Sequence, residues 1–179
     1  MKFNKTDIEG CYLITYDTYV DQRGFFSVPY NKNEFDQKLG YEVNFIQDNL
    51  SYSHTGTIRG LHYQKGEYSQ AKLVTCTQGS VLDVAVDIRK ESPTYGNVVK
   101  IELGWTLNRM LFVPRGCAHG FSVLNGMATF QYKVDNQYNK ESEGGIIYND
   151  TTLNIDWKLN NLYHIVSEKD LELPTFLSL

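Results

Sequence analysis

Short runs of β-branched and aromatic residues recur along this chain, each closed within a few positions by Gly, Asn, Asp or Pro, and hardly any stretch carries the 3.6-residue period of a helix. Strands are expected over Cys11–Tyr16, Phe25–Val28, Val43–Gln47, Thr57–Gln64, Gln70–Val74, Val81–Ile88, Val98–Leu103, Met110–Val113, Ser122–Leu124 and Thr129–Val134. Asp21-Gln22-Arg23-Gly24, Gln78-Gly79-Ser80 and Ser92-Pro93-Thr94-Tyr95-Gly96 read as turns, the second of them as a hairpin. A chain built this way buries its apolar residues by stacking antiparallel strands, so the fold expected is all-β, a sandwich or barrel.

Two short segments break the pattern. Asn33 to Gly40 has an N-cap candidate in Asn33, an i,i+4 apolar pair (Phe35 and Leu39) and a terminating Gly, which predicts a short helix. In the tail, Ser167 followed by Glu168 and Asp170 can open a helical turn. The polar run Asp48–His54 reads equally as loop or site.

At 179 residues the chain is expected to form one domain, residues 1–179, too short for a separate cofactor domain. A net charge of -4 with both signs interspersed supplies no basic patch for nucleic acid and no polybasic membrane arm, so an anionic ligand must be met by local Arg and Lys. No window approaches eighteen apolar residues, and Cys11, Cys76 and Cys117 form no Cys-x-x-Cys pair. Reduced thiols in a cytoplasmic protein are the expectation.

The strand Val81–Ile88 places Leu82, Val84, Val86 and Ile88 on one face and Asp83, Ala85 and Asp87 on the other. Carboxylates on so apolar a strand suggest a face lining a cavity, where Asp83 could meet a cation such as Lys72. The chemistry gathers in Thr57–Gln64 and Gln70–Val74, where Arg59, His62 and Lys72 sit among strand-forming residues. Rim charges and a satisfied core histidine are the alternative reading of the three. Of the four histidines, His54 and His164 are expected at the surface, which leaves His62 and His119 as metal ligands. Two fall short of the three that a catalytic metal usually takes, and Gln64 stands where a further imidazole or carboxylate would be wanted, so no metal is expected. The remaining inventory is a base (His62), carboxylates (Asp83 and Asp170), an ammonium (Lys72), guanidinium groups (Arg23 and Arg59) and a phenol (Tyr132). That set suits proton abstraction beside a carbonyl, with a cation to stabilise the enolate and a phenol to return the proton from the other face.

Asp21-x-Arg23-Gly24-Phe25-Phe26, Gln47-Asp48-Asn49, Arg59-Gly60-Leu61-His62-Tyr63-Gln64, Gln70-Ala71-Lys72-Leu73-Val74, Asp83–Arg89, Ser92–Gly96, Pro114-Arg115-Gly116-x-Ala118-His119-Gly120-Phe121, Tyr132-Lys133 and Ser167-x-Lys169-Asp170 follow one another in order over nearly the whole chain. Together they resemble the dTDP-4-dehydrorhamnose 3,5-epimerase family. The resemblance implies a metal-independent cupin-type jelly roll that needs no cofactor. It also implies a homodimer in which N-terminal strands, within about residues 1–50, are exchanged. The implied substrate is a nucleotide-linked 4-keto-6-deoxyhexose, dTDP-linked by default, with dTDP-4-dehydro-L-rhamnose as default product. By the same resemblance His62 is the general base, Asp170 its dyad partner, Tyr132 the acid on the opposite face and Lys72 the group that steadies the enolate. Gln47, Asn49, Arg59, Asp83 and His119 surround the sugar; Arg23, Glu143 and Lys169 contact the ligand, Arg23 near the diphosphate; and Tyr138 lies near the sugar or base. An epimerase acting at C3 or C5 alone, one for another nucleotide sugar, and a non-catalytic sugar-nucleotide-binding cupin are the alternatives. The chain departs from the family at Val28, where a glutamate that contacts the nucleotide is usual. Either base selection is altered there or the position tolerates change.

Overall fold

A computed structural model describes residues 1–159 and 164–179 of the chain. In chain order the strands are β1 (Lys2–Lys5), β2 (Tyr12–Thr15), β3 (Thr18–Asp21), β4 (Gly24–Ser27), β5 (Gln47–His54), β6 (Ile58–Gln64), β7 (Lys72–Asp87), β8 (Val98–Gly104), β9 (Arg109–Val113), β10 (Cys117–Val134) and β11 (Glu143–Gly145). The α-helices are α1 (Lys32–Leu39) and α2 (Glu168–Leu171).

The architecture is the all-β roll that the strand pattern predicted, and two long strands organise it. The first half of β7 pairs with β9 and with the end of β10, which in turn pairs with β5; the second half of β7 pairs with β8 and with the start of β10, which pairs with β6. Strands β1 and β2 extend the first layer from β9, and β11 extends the second from β6. Both long strands thus pass from one layer into the other. The crossing is eased where the β7–β10 register shifts, near Val123–Thr129, beside Gly79 at φ +74°.

Three apolar clusters follow from this layering. Val74, Cys76, Val81, Ala85, Leu111, Phe121 and Phe130 pack between the layers. Leu82, Val84, Val86, Ile58 and Leu61 face outward and are covered by Ile146, Trp157 and Phe176 of the C-terminal segment. Leu73, Met110 and Phe112 are covered by Phe35 and Leu39 of α1 together with Val43. The predicted alternation of Val81–Ile88 therefore holds, and both faces of the strand are buried.

Strands β1, β3 and β11 lie where the sequence reading expects none, and several local boundaries differ from it. The cap of α1 is Asn31, whose side chain accepts from Glu34 N, while Asn33 lies inside the helix; Gly40 closes it at φ +87°. Val43–Ile46 lies outside any strand, although Ile46 N already donates to Val134 O at 2.9 Å, and β5 begins at Gln47 and continues through the polar run to His54. Gln78-Gly79-Ser80 is a bend inside β7, and Cys117–Phe121 belongs to β10 instead of linking two strands. The tail holds α2 as expected, with Ser167 Oγ accepting from Asp170 N; the part of that tail spanning residues 160–163 lies outside the described residues. The hairpin β3–β4 forms a separate two-stranded sheet, paired with none of the other strands described.

Candidate active site

Strands β6 and β10 approach unusually closely beside the two histidines that face each other across them, His62 and His119. A Cβ on Gly60 would come within 2.6 Å of Gly120 Cα, and one on Gly120 within 2.6 Å of Arg59 O. No side chain fits at either position, which accounts for the glycines in Arg59-Gly60-Leu61-His62 and His119-Gly120-Phe121. The close approach brings both imidazoles to the wall of one cleft of about 760 Å³.

Gln47, Asn49, Arg59, His62, Lys72, His119, Tyr132, Tyr138, Glu143, Lys169 and Asp170 all line this cleft. Residues from five strands and α2, as far apart in sequence as Gln47 and Asp170, therefore converge. Gln47, Asn49, Ser51 and Ser53 come from alternate positions of β5 and present a polar row, opposite which β10 places Tyr132 as the cross-strand partner of Asn49. Ser53 accepts from Arg59 Nε at 3.0 Å and so fixes the guanidinium. The sequence alone singles out neither serine, because Asp48–His54 reads equally as loop or site. Read as a strand, its period of two from Gln47 points to both. Phe121 and Phe130, stacked at 4.2 Å, supply an apolar floor.

His62 Nε2 lies 2.6 Å from Asp170 Oδ1. The carboxylate is set by its own helical turn: Asp170 N bonds to the Ser167 cap, and Oδ2 accepts from Gly60 N at 3.3 Å. Burial pushes the Asp170 carboxyl up, but hydrogen bonds from His62, Gly60 and Ser167 pull it further down, and the net direction is below the ordinary value. An ionised Asp170 accepts an N–H from one ring nitrogen and leaves the other with its lone pair available as a base.

Lys72 is 8% exposed and lies within the sheet, opposite Val113 on one side and Val134 on the other. Its ammonium donates to His62 O at 3.3 Å. Burial lowers its pKa to about 8, with the field of Asp83 opposing the drop. Asp83 does not form the ion pair with Lys72 that the sequence suggested. It is fully buried behind His119, bonded through Oδ1 to His119 Nε2 at 2.8 Å, and its Oδ2 has no hydrogen-bond partner among the described residues. Burial lowers the His119 pKa, against the pull of Asp83. Tyr132 is shifted upward by burial, partly opposed by Arg59, which keeps the phenol protonated at neutral pH.

At the mouth, Glu143 Oε2 accepts from Lys169 Nζ at 2.5 Å and from the Tyr138 phenol at 3.0 Å. Two candidates do not line the cleft: Asp83, expected around the sugar, is sealed behind His119, and Arg23 lies outside it altogether. Arg23 sits at the turn of the β3–β4 hairpin with its side chain 85% exposed, bonded to Asp21. Val28, just past β4, is also exposed. His54, expected at the surface, is exposed and also lines the cleft; His164 is half-buried against Tyr148. Among the described residues no group of three or more His, Cys, Asp or Glu gathers as a metal site would.

The cleft thus holds an imidazole oriented by a carboxylate, a buried ammonium and a protonated phenol. Such a set can remove a proton beside a carbonyl, hold the resulting oxyanion and deliver a proton back. Comparison with known proteins agrees. Residues 5–178 match the family model described as dTDP-4-dehydrorhamnose 3,5-epimerase. The chain is 44% identical over 177 residues to the dTDP-4-dehydrorhamnose 3,5-epimerase of Shigella flexneri, covering 99% of this chain and 97% of that one. The crystal structure of the enzyme of that name from Elizabethkingia anophelis superposes with a TM-score of 0.96 at 48% identity, over 99% of this chain and 97% of the other. That of the dTDP-6-deoxy-D-glucose-3,5-epimerase from Legionella pneumophila, in complex with dTDP-4-keto-L-rhamnose, gives 0.94 at 41% identity, over 98% and 93%. With the family model matched over residues 5–178, a matching fold and this likeness over nearly the whole chain, the protein belongs to the dTDP-4-dehydrorhamnose 3,5-epimerase family.

Proposed function

We propose that the chain converts dTDP-4-dehydro-6-deoxy-D-glucose to dTDP-4-dehydro-L-rhamnose by inverting C3 and C5 through enolates of the C4 ketone. Both carbons flank that ketone, so one base and one oxyanion site serve both if the sugar changes its pose between steps. His62 takes the proton from the carbon, and the C–H electron pair moves into the ring bond as the C4 oxygen becomes an enolate. The Lys72 ammonium meets that charge, so the step calls for neither metal nor cofactor. Tyr132 then protonates the carbon from the opposite face. Gln47, Asn49, Arg59 and His119 hold the sugar, with Asp83 fixing the His119 ring, while Tyr138, Glu143 and Lys169 meet the ligand at the mouth. The observation that carries this reading is the 2.6 Å His62–Asp170 contact in a cleft that also holds a buried Lys72.

The hairpin supports a homodimer with exchanged N-terminal strands. Tyr19, Val20, Phe25 and Phe26 are exposed on it, as is Val28 just past it, and an apolar patch of this kind calls for a covering surface. A second copy that accepts the hairpin would bring Arg23 to the diphosphate of the partner's ligand. We place the enzyme in the cytoplasm, in keeping with three free, buried thiols. No helix among the described residues is long and apolar enough to cross a membrane.

Tyr132→Phe tests the assignment of the acid. It should still permit proton removal but impair return from the opposite face, so deuterium from solvent enters with retained configuration. Inverted product formed at the wild-type rate would show that another group is the acid.

A further inference from the structure

We propose that Gln64 is a positioning residue: its buried amide oxygen ties the turn that carries Tyr138 to the strand that carries His62, and so sets the Tyr138 ring at the mouth of the cleft. The inference rests on the reading of Tyr138 as a group that contacts the ligand. Gln64 follows His62 by two positions on β6, so the two side chains share the face that lines the cleft. It is 7% exposed, and its Oε1 accepts the backbone N–H of Asn139, the residue after Tyr138, at 2.9 Å. The turn is closed internally by Asn139 Oδ1, which accepts from the N–H groups of Glu141 and Ser142. Gln64 is also the cross-strand partner of Glu143, whose carboxylate accepts the Tyr138 phenol. The backbone end and the phenol end of Tyr138 therefore both lead back to this one residue.

Packing alone does not hold the ring, since Tyr138 is 55% exposed. The turn is also anchored at its flanks, by Gln70 and Asn136 on one side and by Lys65 N to Ser142 O on the other, so Gln64 supplies the tie next to the ring; a ring loosened there would have to be ordered by the ligand at a cost to binding, which a tether that orders it beforehand removes. Loss of the tether should then raise KM more than it lowers kcat, because His62, Asp170 and Lys72 are held by other hydrogen bonds and Tyr132 by its strand pairing and its contact with Phe130.

The test compares Gln64→Leu, similar in size without an acceptor, with Gln64→Glu, which keeps an acceptor oxygen at the same reach, each alone and combined with Tyr138→Ala. Amide exchange at Asn139 and steady-state kinetics with the nucleotide sugar are the readouts. Gln64→Leu should speed Asn139 exchange and raise KM about tenfold while kcat stays within about threefold. Gln64→Glu should restore both slow exchange and low KM, and in the Tyr138→Ala background Gln64→Leu should add nothing. Unchanged Asn139 exchange in Gln64→Leu, or a KM effect that multiplies with that of Tyr138→Ala, overturns the proposal. A Tyr138→Ala enzyme with wild-type KM would sink the reading of Tyr138 itself, and the inference with it.

Discussion

Lys72 carries a conflict between stability and chemistry within a single side chain. Burial favours the neutral amine, yet the proposed enolate needs the ammonium, and a pKa of about 8 leaves most of the group charged at neutral pH. The ammonium predominates below that value and is lost above it, so kcat/KM, which reports groups of the free enzyme, should fall as pH rises through about 8. Lys72→Arg, which stays charged, should carry that limb to higher pH even if its rate is lower. A wild-type kcat/KM that stays flat to about pH 10 would show that the charge is not used. The linkage sign is the reverse for stability: between about 8 and the ordinary lysine value the unfolded chain holds the proton and the folded chain does not, so this group's contribution rises with pH across that window. Lys72→Ala should slow enolisation far more than it weakens binding, by roughly 2.7–4 kcal/mol in the barrier. A change confined to KM would assign Lys72 to uniform binding instead. Asp170→Asn should be milder than His62→Ala, because it misorients the imidazole without removing it; equal losses would point to a direct acid role for Asp170.

At the scale of elements, α2 is a four-residue helix whose purpose is to aim Asp170, and the cap at Ser167 is what holds it. Ser167→Ala should cost about 1 kcal/mol of stability, with a loss of kcat smaller than that of Asp170→Asn. Melting curves and turnover measured on the same preparation check both. The β3–β4 hairpin carries Arg23 and leads to Val28. Calorimetry with dTDP, UDP, CDP and GDP, on wild type and Val28→Glu, tests that departure from the family: if valine weakens selection for an imide base, the glutamate sharpens it, whereas tight, selective dTDP binding unimproved by the glutamate makes Val28 a neutral change. How far these elements were legible depended on what each one rests on. The Ser167 turn and the Val81–Ile88 alternation were readable because a cap and a period are local signals. The helix was found but its cap misplaced by two residues, since Asn31 and Asn33 are chemically equivalent candidates and only the entry of the chain separates them. Gly79 looks like a hairpin and Cys117–Phe121 like a linker in the sequence because a glycine in a strand that bends between layers resembles a turn locally. The reactive residue types were evident from the sequence, but the partner of Asp83 was not: it depends on β7 pairing with β10, a register no local pattern encodes.

For the whole molecule, α1 and the C-terminal segment cover apolar faces of the two-layer roll, while the β3–β4 hairpin, a separate sheet among the described residues, leaves Tyr19, Val20, Phe25 and Phe26 exposed. Replacing Phe25 and Phe26 by serine should shift the protein from dimer toward monomer in sedimentation and lower kcat/KM, leaving the fold intact; a dimer undisturbed by both changes would place the interface elsewhere. The central claim, that one base serves both carbons beside the ketone, meets its most direct test in NMR of dTDP-4-dehydro-6-deoxy-D-glucose with the enzyme in deuterium oxide, wild type against His62→Ala. Deuterium should enter at C3 and at C5 with the wild type and at neither with the variant. Exchange at either carbon that persists in His62→Ala at near the wild-type rate would contradict the account.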